Sequence, residues 1–274
     1  MSGQQELLEV AVKAARLAGG LLRDRARDGA ERRISSKSTP TDLVSGADLA
    51  AERAIRELLG ELRPEDAFVG EEGGSESGSS GLSWIVDPLD GTVNYLFGIP
   101  QWSVSVAVSD GARTLAGAVY DPGREELFVA TADGAALLLD ASGEKRLYGR
   151  DADPGAGGEA EGGPAKLATA MVATGLAYDA DVRAAQALVL ARVLPRVRDI
   201  RRFGSAALDL TWTAAGRYDA YFERTVKPWD IAAGALVCER AGLRVLELPA
   251  AEDLPWGILV APPGLAESLL ELVG

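Results

Sequence analysis

The chain has no histidine at all and a single cysteine, Cys238, among 274 residues. Without histidine there can be no Ser–His triad, no phosphohistidine intermediate and none of the common histidine-based zinc sites. Any base must be a carboxylate, a hydroxyl, a lysine or a hydroxide on a metal. Oxygen-only ligands favour Mg²⁺, Mn²⁺ or Ca²⁺ over zinc or copper. One cysteine forms no intrachain disulfide, which fits a reducing cytoplasm. No charged-then-apolar leader opens the sequence, and no apolar run approaches the ~20 residues of a membrane span. The expectation is a cytoplasmic protein with no membrane partner.

Positive charge is also scarce: 28 basic side chains against 41 acidic ones leave a formal charge of −13. That predicts no nucleic-acid partner, since phosphate backbones demand a basic surface. A small anionic substrate would be repelled as well, unless bound cations reversed the sign locally. Hydrophobic residues make up 47% and charged ones 25%, an ordinary globular balance for one domain or two fused halves.

Trp84-Ile-Val-Asp87-Pro-Leu-Asp90-Gly91-Thr92 is the most telling stretch that is present. Its apolar start reads as a buried strand, broken at Pro88, which has no N–H for a ladder bond. A strand end opening into a Gly-containing turn can aim backbone N–H groups at an anion. Asp87 and Asp90 supply hard oxygen ligands beside it. Alone, Asp-Pro and Asp-Gly also read as turn pairs. Two further segments offer acids at element boundaries: Gly70-Glu71-Glu72, after the run Ala67-Phe-Val, and Trp229-Asp230, at the start of a helical pattern. Of the first pair, Glu71 reads as the ligand and Glu72 as a solvated neighbour.

These segments resemble the inositol monophosphatase family of lithium-sensitive, Mg²⁺-dependent phosphatases. The likeness extends to Val93-Asn94, Gly204-Ser-Ala-Ala207 and Tyr218 to Glu223. The resemblance implies a mixed α/β fold, a layered αβαβα sandwich, and a homodimer. It implies metal ligation of two or three Mg²⁺ by Glu71, Asp87, the Leu89 carbonyl, Asp90 and Asp230. Thr92 with Asp48, and Glu71 through its metal, would serve the attacking water. The amides of Gly91 and Thr92 would hold the phosphate, and Asp90, Ala206 and Glu223 would meet the alcohol. The implied activity is hydrolysis of a small polyol or sugar phosphate, inositol monophosphate first. Fructose 1,6-bisphosphate, histidinol phosphate and nucleotide 3′-phosphates are alternatives, and Lys227 before the Trp-Asp pair adds to that openness. A catalytically idle metal-binding dimer acting through protein partners is the reading from another class.

Elsewhere, helical spacing predicts a first helix of about five turns through Leu22 and a second after Ser45-Gly-Ala-Asp48, a capping signature. Residues 34–42 read as a loop, with Lys37 either solvated or closing over the site. Strands are expected at 103–108, 114–120, 126–131 and 135–139 as an antiparallel meander. Residues 73–81 read as a flexible connection and 151–165 as a junction between halves 1–150 and 166–274. Strands at 167–173, 218–222, 243–247 and 257–261 alternate with helices near 181–194, 205–216, from 229 and at 264–272. Arg192, Arg196, Arg198, Arg201 and Arg202 form the one dense basic cluster, readable as surface charge, substrate contact or interface. Cys238 and Arg244 match the Cys-x₅-Arg spacing of cysteine phosphatases, but the cysteine falls inside a helical pattern and reads as buried and inert.

Overall fold

Two large β-sheets, each covered on both faces by helices, account for the long apolar runs of the sequence. The computed structural model describes residues 3–28, 34–36, 43–150 and 166–274. The first sheet has eight strands in the order β10-β9-β8-β7-β6-β5-β3-β4. Its members are β3 (Ala67–Gly70), β4 (Gly74–Glu76), β5 (Ser83–Asp90), β6 (Ser103–Ser109), β7 (Thr114–Asp121), β8 (Glu126–Thr131), β9 (Leu137–Asp140) and β10 (Gly143–Arg146). From β5 to β10 every neighbour is antiparallel, the expected meander, and only β3 runs parallel to β5. A separate pair, β1 (Ile34–Ser36) and β2 (Leu43–Ser45), is antiparallel.

The second sheet has the order β12-β11-β13-β15-β14. These strands are β11 (Met171–Thr174), β12 (Asp199–Arg201), β13 (Ala220–Arg224), β14 (Arg244–Leu248) and β15 (Gly257–Ala261). Helices α1 (Gly3–Asp28) and α2 (Gly46–Leu62) cover the outer face of the first sheet, burying Ala11, Ala18, Leu22 and Ile55 against Val104, Val106 and Val108. Between the sheets lie α5 (Ala206–Ala214) and α6 (Pro228–Arg240), packed among Ala107, Val119, Phe128, Tyr221, Ile258 and Val260. On the far face, α4 (Ala180–Val193) and α7 (Pro263–Val273) meet Val172, Phe222, Leu259 and Ala261. The period-2 alternation of β-strands is visible here: Ala220 and Phe222 face one core while Tyr221 faces the other. The result is helix–sheet–helix–sheet–helix, a mixed α+β sandwich as the resemblance implied.

Several local expectations need correction. Helix α1 spans 26 residues instead of about five turns. Past Leu22 it continues on charge: Arg25 and Arg27 lie in its last turn, where the helix dipole favours cations, and Arg23 pairs with Glu125 at 2.7 Å. Residues 73–81 are not a free connection. β4 pairs with β3, and the amides of Ser79 and Ser80 donate to the Glu65 carbonyl at 2.7 and 3.0 Å. Backbone pairing of this kind leaves no trace in a Gly/Ser composition. A 3₁₀ turn at Leu167–Thr169 replaces the start of the strand expected from 167. The edge strand β10, charged and exposed along its length, went unforeseen because it has no apolar alternation. Lys37 and the 151–165 junction lie outside the described residues.

One buried acid stands apart from these packing rules. Asp209 in α5 is fully buried, and neither of its oxygens has a hydrogen-bond partner of normal geometry, nor does the nearby Tyr218 hydroxyl. Burial first, then the charges of Glu223 and Asp90, pushes its acid well above the ordinary carboxylate range, with Tyr218 pulling weakly the other way. A raised folded-state value means stability that is full below about pH 4, the unfolded value, and lost as pH rises through the folded one. Asp209→Asn is therefore expected to stabilise the protein by about 1–3 kcal/mol at pH 8 and far less at pH 4.5. Urea midpoints at the two pH values check this; a gain independent of pH would contradict it.

Candidate active site

Strand β5 brings its two aspartates to one face by a β-bulge. Asp87 is opposite Ser105 and Asp90 opposite Ser103, with a register shift between them. Three steps on β5 are thus matched by two on β6, so residues that would otherwise alternate point the same way. The Asp87 Oδ1 accepts the Leu89 amide at 2.9 Å, fixing the turn around Pro88. Gly91 follows at φ +96°, a left-handed conformation that favours glycine, and opens the short helix α3 (Thr92–Leu96).

Glu71 is delivered by β3. Its amide donates to the Val86 carbonyl at 3.2 Å, which sets it beside Asp87, and the two carboxyls lie within hydrogen-bond reach. The turn carrying it is held from below by Glu52 of α2, a buried carboxylate that accepts the Glu72 amide at 2.8 Å and Arg56 Nη2 at 3.0 Å. Glu72 itself is half-buried. Asp230 enters from the first turn of α6, where its Oδ2 accepts the Lys227 amide at 2.7 Å. A cavity of about 610 Å³ is lined by Glu71, Asp87, Leu89, Asp90, Gly91, Thr92, Ala206, Glu223, Lys227 and Asp230, among others. Every proposed ligand and substrate-facing residue therefore opens onto one cleft.

Asp48 alone lies behind that wall. It is fully buried at the N3 position of α2, where its Oδ2 accepts the Ser45 amide at 2.9 Å. Its Oδ1 accepts the Thr92 hydroxyl at 2.7 Å, and Thr92 Oγ1 also reaches the Leu89 carbonyl at 3.1 Å. The residue is both a first-turn capping acid and the partner of Thr92.

Uncompensated negative charge dominates the cleft. Burial, then Glu71, Asp90 and Asp230, holds the Asp87 acid well above its ordinary range. Burial and Asp90 raise Asp230 likewise, against the Lys227 amide. Asp90 is raised to about 6 by burial, less than it would be without its donors. Those donors are Ser205 Oγ at 2.5 Å and the Ala207 amide at 2.8 Å on Oδ2, with the Ala206 amide at 3.1 Å on Oδ1. Ser205, at the N-cap of α5, makes no capping bond of its own, so Asp90 caps that helix from across the cleft. Glu223 is pushed up to about 7 by burial, opposed by the Tyr221 hydroxyl bonded to it at 2.8 Å. A Cβ at Gly175 would fall 1.9 Å from the Glu223 carboxyl, so only glycine leaves it room there.

The donor set is entirely oxygen and crowded, which suits a hard divalent cation. Among the described residues, no three acidic side chains are yet gathered around a point that could hold an ion. A bound cation would offset the negative charge these acids share.

Sequence reasoning missed Glu52, Ser103 and Ser205 as supports. The first had a signal, an i,i+4 pair with Arg56 on α2, and Ser103 sits at a polar position of an alternating strand. Of the arginine cluster only Arg202 lines the cavity. Cys238 does not reach it: it is buried in α6, its Sγ donating to the Leu210 carbonyl at 3.1 Å, and burial pushes its acid far up. An inert thiol was expected and is found.

A five-layered αβαβα sandwich with an acid-lined cleft at the bulged end of a central strand defines a class of metal-assisted phosphatase fold. The chain belongs to the inositol monophosphatase family, whose model matches residues 3–273. Inositol-1-monophosphatase SuhB of Mycobacterium tuberculosis is 42% identical over 252 residues, covering 90% of this chain and 82% of that protein. Nus factor SuhB of Pasteurella multocida is 35% identical over 274 residues, covering 97% and 95%. The solved structure of extragenic suppressor protein suhB from Bartonella henselae superposes with a TM-score of 0.84 at 32% identity, covering 98% of each chain. No helix among the described residues is long and apolar enough to cross a membrane.

Proposed function

We propose that this protein is a Mg²⁺-dependent phosphomonoesterase acting on a small polyol phosphate, inositol monophosphate foremost, as a cytoplasmic homodimer. The observation that carries the reading is the Asp48–Thr92 hydrogen bond standing directly behind the carboxylates of Glu71, Asp87 and Asp90. Glu71, Asp87, the Leu89 carbonyl, Asp90 and Asp230 would hold the ions, which supply Lewis acidity and an activated water. Thr92 Oγ1, already donating to Asp48, can accept a proton from water only as it passes its own to Asp48. That gives a base without histidine. Gly91 and Thr92, at the start of α3, line the cleft, and their amides would donate to phosphate oxygens. Asp90 and the Ala206 backbone, tied together, present a fixed edge to the alcohol, with Glu223 as its acceptor.

Substrate choice is tested by kcat/KM for inositol 1-phosphate, histidinol phosphate, fructose 1,6-bisphosphate and 3′-phosphoadenosine phosphate with Mg²⁺. The highest value is expected for a sugar or polyol ester, and a clear preference for the nucleotide would overturn that choice. Because one relative bears the name Nus factor, a second reading is a role through a macromolecular partner. Such a role would survive substitutions that remove turnover.

A further inference from the structure

Glu52 is a carboxylate that ordinary helix packing would leave in water. It pairs with Arg56 one turn along α2, Arg56 Nη2 donating to its Oε1 at 3.0 Å. Exposed, such a pair contributes little. Here Glu52 is 3% exposed, and a buried charge costs stability unless it is paired and hydrogen-bonded. Its second oxygen, Oε2, accepts the Glu72 amide at 2.8 Å. Arg56 is held in its turn: its Nη1 donates to Glu76 on β4, and its guanidinium sits over the Phe68 ring of β3, 4.1 Å from the ring centre. One cation thus ties α2, β3 and β4 together beneath the turn that joins the two strands.

That turn is folded around the Glu52 carboxylate. Gly70 and Gly73 bracket its two acids, and a Cβ on either glycine would run into a Glu52 oxygen. Of the two acids between them, Glu71 lines the cleft and Glu72 does not. The Glu71 amide is fixed by the Val86 carbonyl at 3.2 Å, and the Glu72 amide from behind by Glu52. Two consecutive amides anchored to different elements hold the turn with Glu71 toward the cleft. Groups that orient a metal ligand from behind commonly change metal affinity about ten- to a hundredfold when they are removed.

We propose that Glu52, clamped by Arg56, is the positioning residue of the Glu71 turn and sets the affinity of the cleft for Mg²⁺. This rests on the metal-site reading above, whichever ester is the substrate. The test is calorimetric titration of EDTA-stripped protein with Mg²⁺ in wild type, Glu52→Gln and Gly73→Ala, alongside Tm in EDTA and kcat for inositol 1-phosphate at saturating Mg²⁺. Glu52→Gln keeps the shape of the side chain and loses the charge that holds Arg56. Gly73→Ala keeps the charge but displaces it: Gly73 is not among the positive-φ glycines, so alanine fits its backbone and pushes only on the ends of Glu52 and Arg56. Both variants should raise the Mg²⁺ Kd about tenfold or more, with the loss in Kd and not in kcat once the metal saturates. A merely structural pair would lower Tm in EDTA and leave the Kd where it was. An unchanged Kd in either variant overturns the inference and leaves the phosphatase reading intact; if only Gly73→Ala is unchanged, Glu52 acts by its charge and positions nothing. Gly73→Ala decides alone if Glu52→Gln does not fold. Wild type that binds Mg²⁺ yet turns over no ester overturns the phosphatase reading alone, and wild type that binds no Mg²⁺ overturns both.

Discussion

Asp87→Asn is expected to lower phosphomonoesterase kcat about a thousandfold, the several kcal/mol that a divalent ion contributes to a phosphoryl-transfer transition state. The same change should make the metal-free protein more stable. Asp87 is buried beside Glu71, Asp90 and Asp230 with nothing to offset the charge, and its acid is raised accordingly. Removing that charge relieves repulsion wherever no cation is present. In EDTA the variant's Tm should exceed that of the wild type, and added Mg²⁺ should raise the wild-type Tm far more than the variant's, since binding to the folded state alone stabilises it. Loss of activity with a lower Tm in EDTA would point instead to a damaged fold.

Thr92→Ala carries the second large effect, a fall in kcat of about 10²–10⁴ with KM little changed, the usual range for removing a positioned proton-transfer group. Thr92→Ser keeps the hydroxyl and should retain most activity. The Asp48–Thr92 bond at 2.7 Å makes a sharper demand. If the two act as one relay, Asp48→Asn combined with Thr92→Ala should be scarcely slower than Thr92→Ala alone. Multiplying losses would mean that Asp48 acts independently. Asp48→Asn also weakens the cap of α2, so its Tm is expected to fall on the scale of a lost N-terminal cap, about 1 kcal/mol.

Much of this site was legible in the sequence because its chemistry sits at element ends that composition marks. Pro88 and Gly91 mark the end of β5, so Asp87, Asp90 and Thr92 fall at a strand end on sequence alone. Ser45 and Asp48 announced the start of α2, and the alternation of residues 103–108 announced β6. The same local logic explains what was hidden. The bulge that turns Asp87 and Asp90 to one face depends on pairing with Ser105 and Ser103, a register that no single segment encodes. Asp90 capping α5 joins residues more than a hundred positions apart. Glu52 looked like any surface acid of an amphipathic helix, and only the fold puts the Glu71 turn above it. The 73–81 stretch misled for the opposite reason: Gly and Ser describe what a backbone is free to do, while its partners β3 and Glu65 decide what it does.

The most direct measurement is phosphate release from inositol 1-phosphate as a function of free Mg²⁺, after stripping with EDTA. Turnover should be absent in EDTA, rise saturably as Mg²⁺ is restored and stay absent in Asp87→Asn at every concentration. A rate unaffected by EDTA, or a folded, Mg²⁺-saturated wild type with no turnover on this ester or the other esters of the panel, would contradict the account.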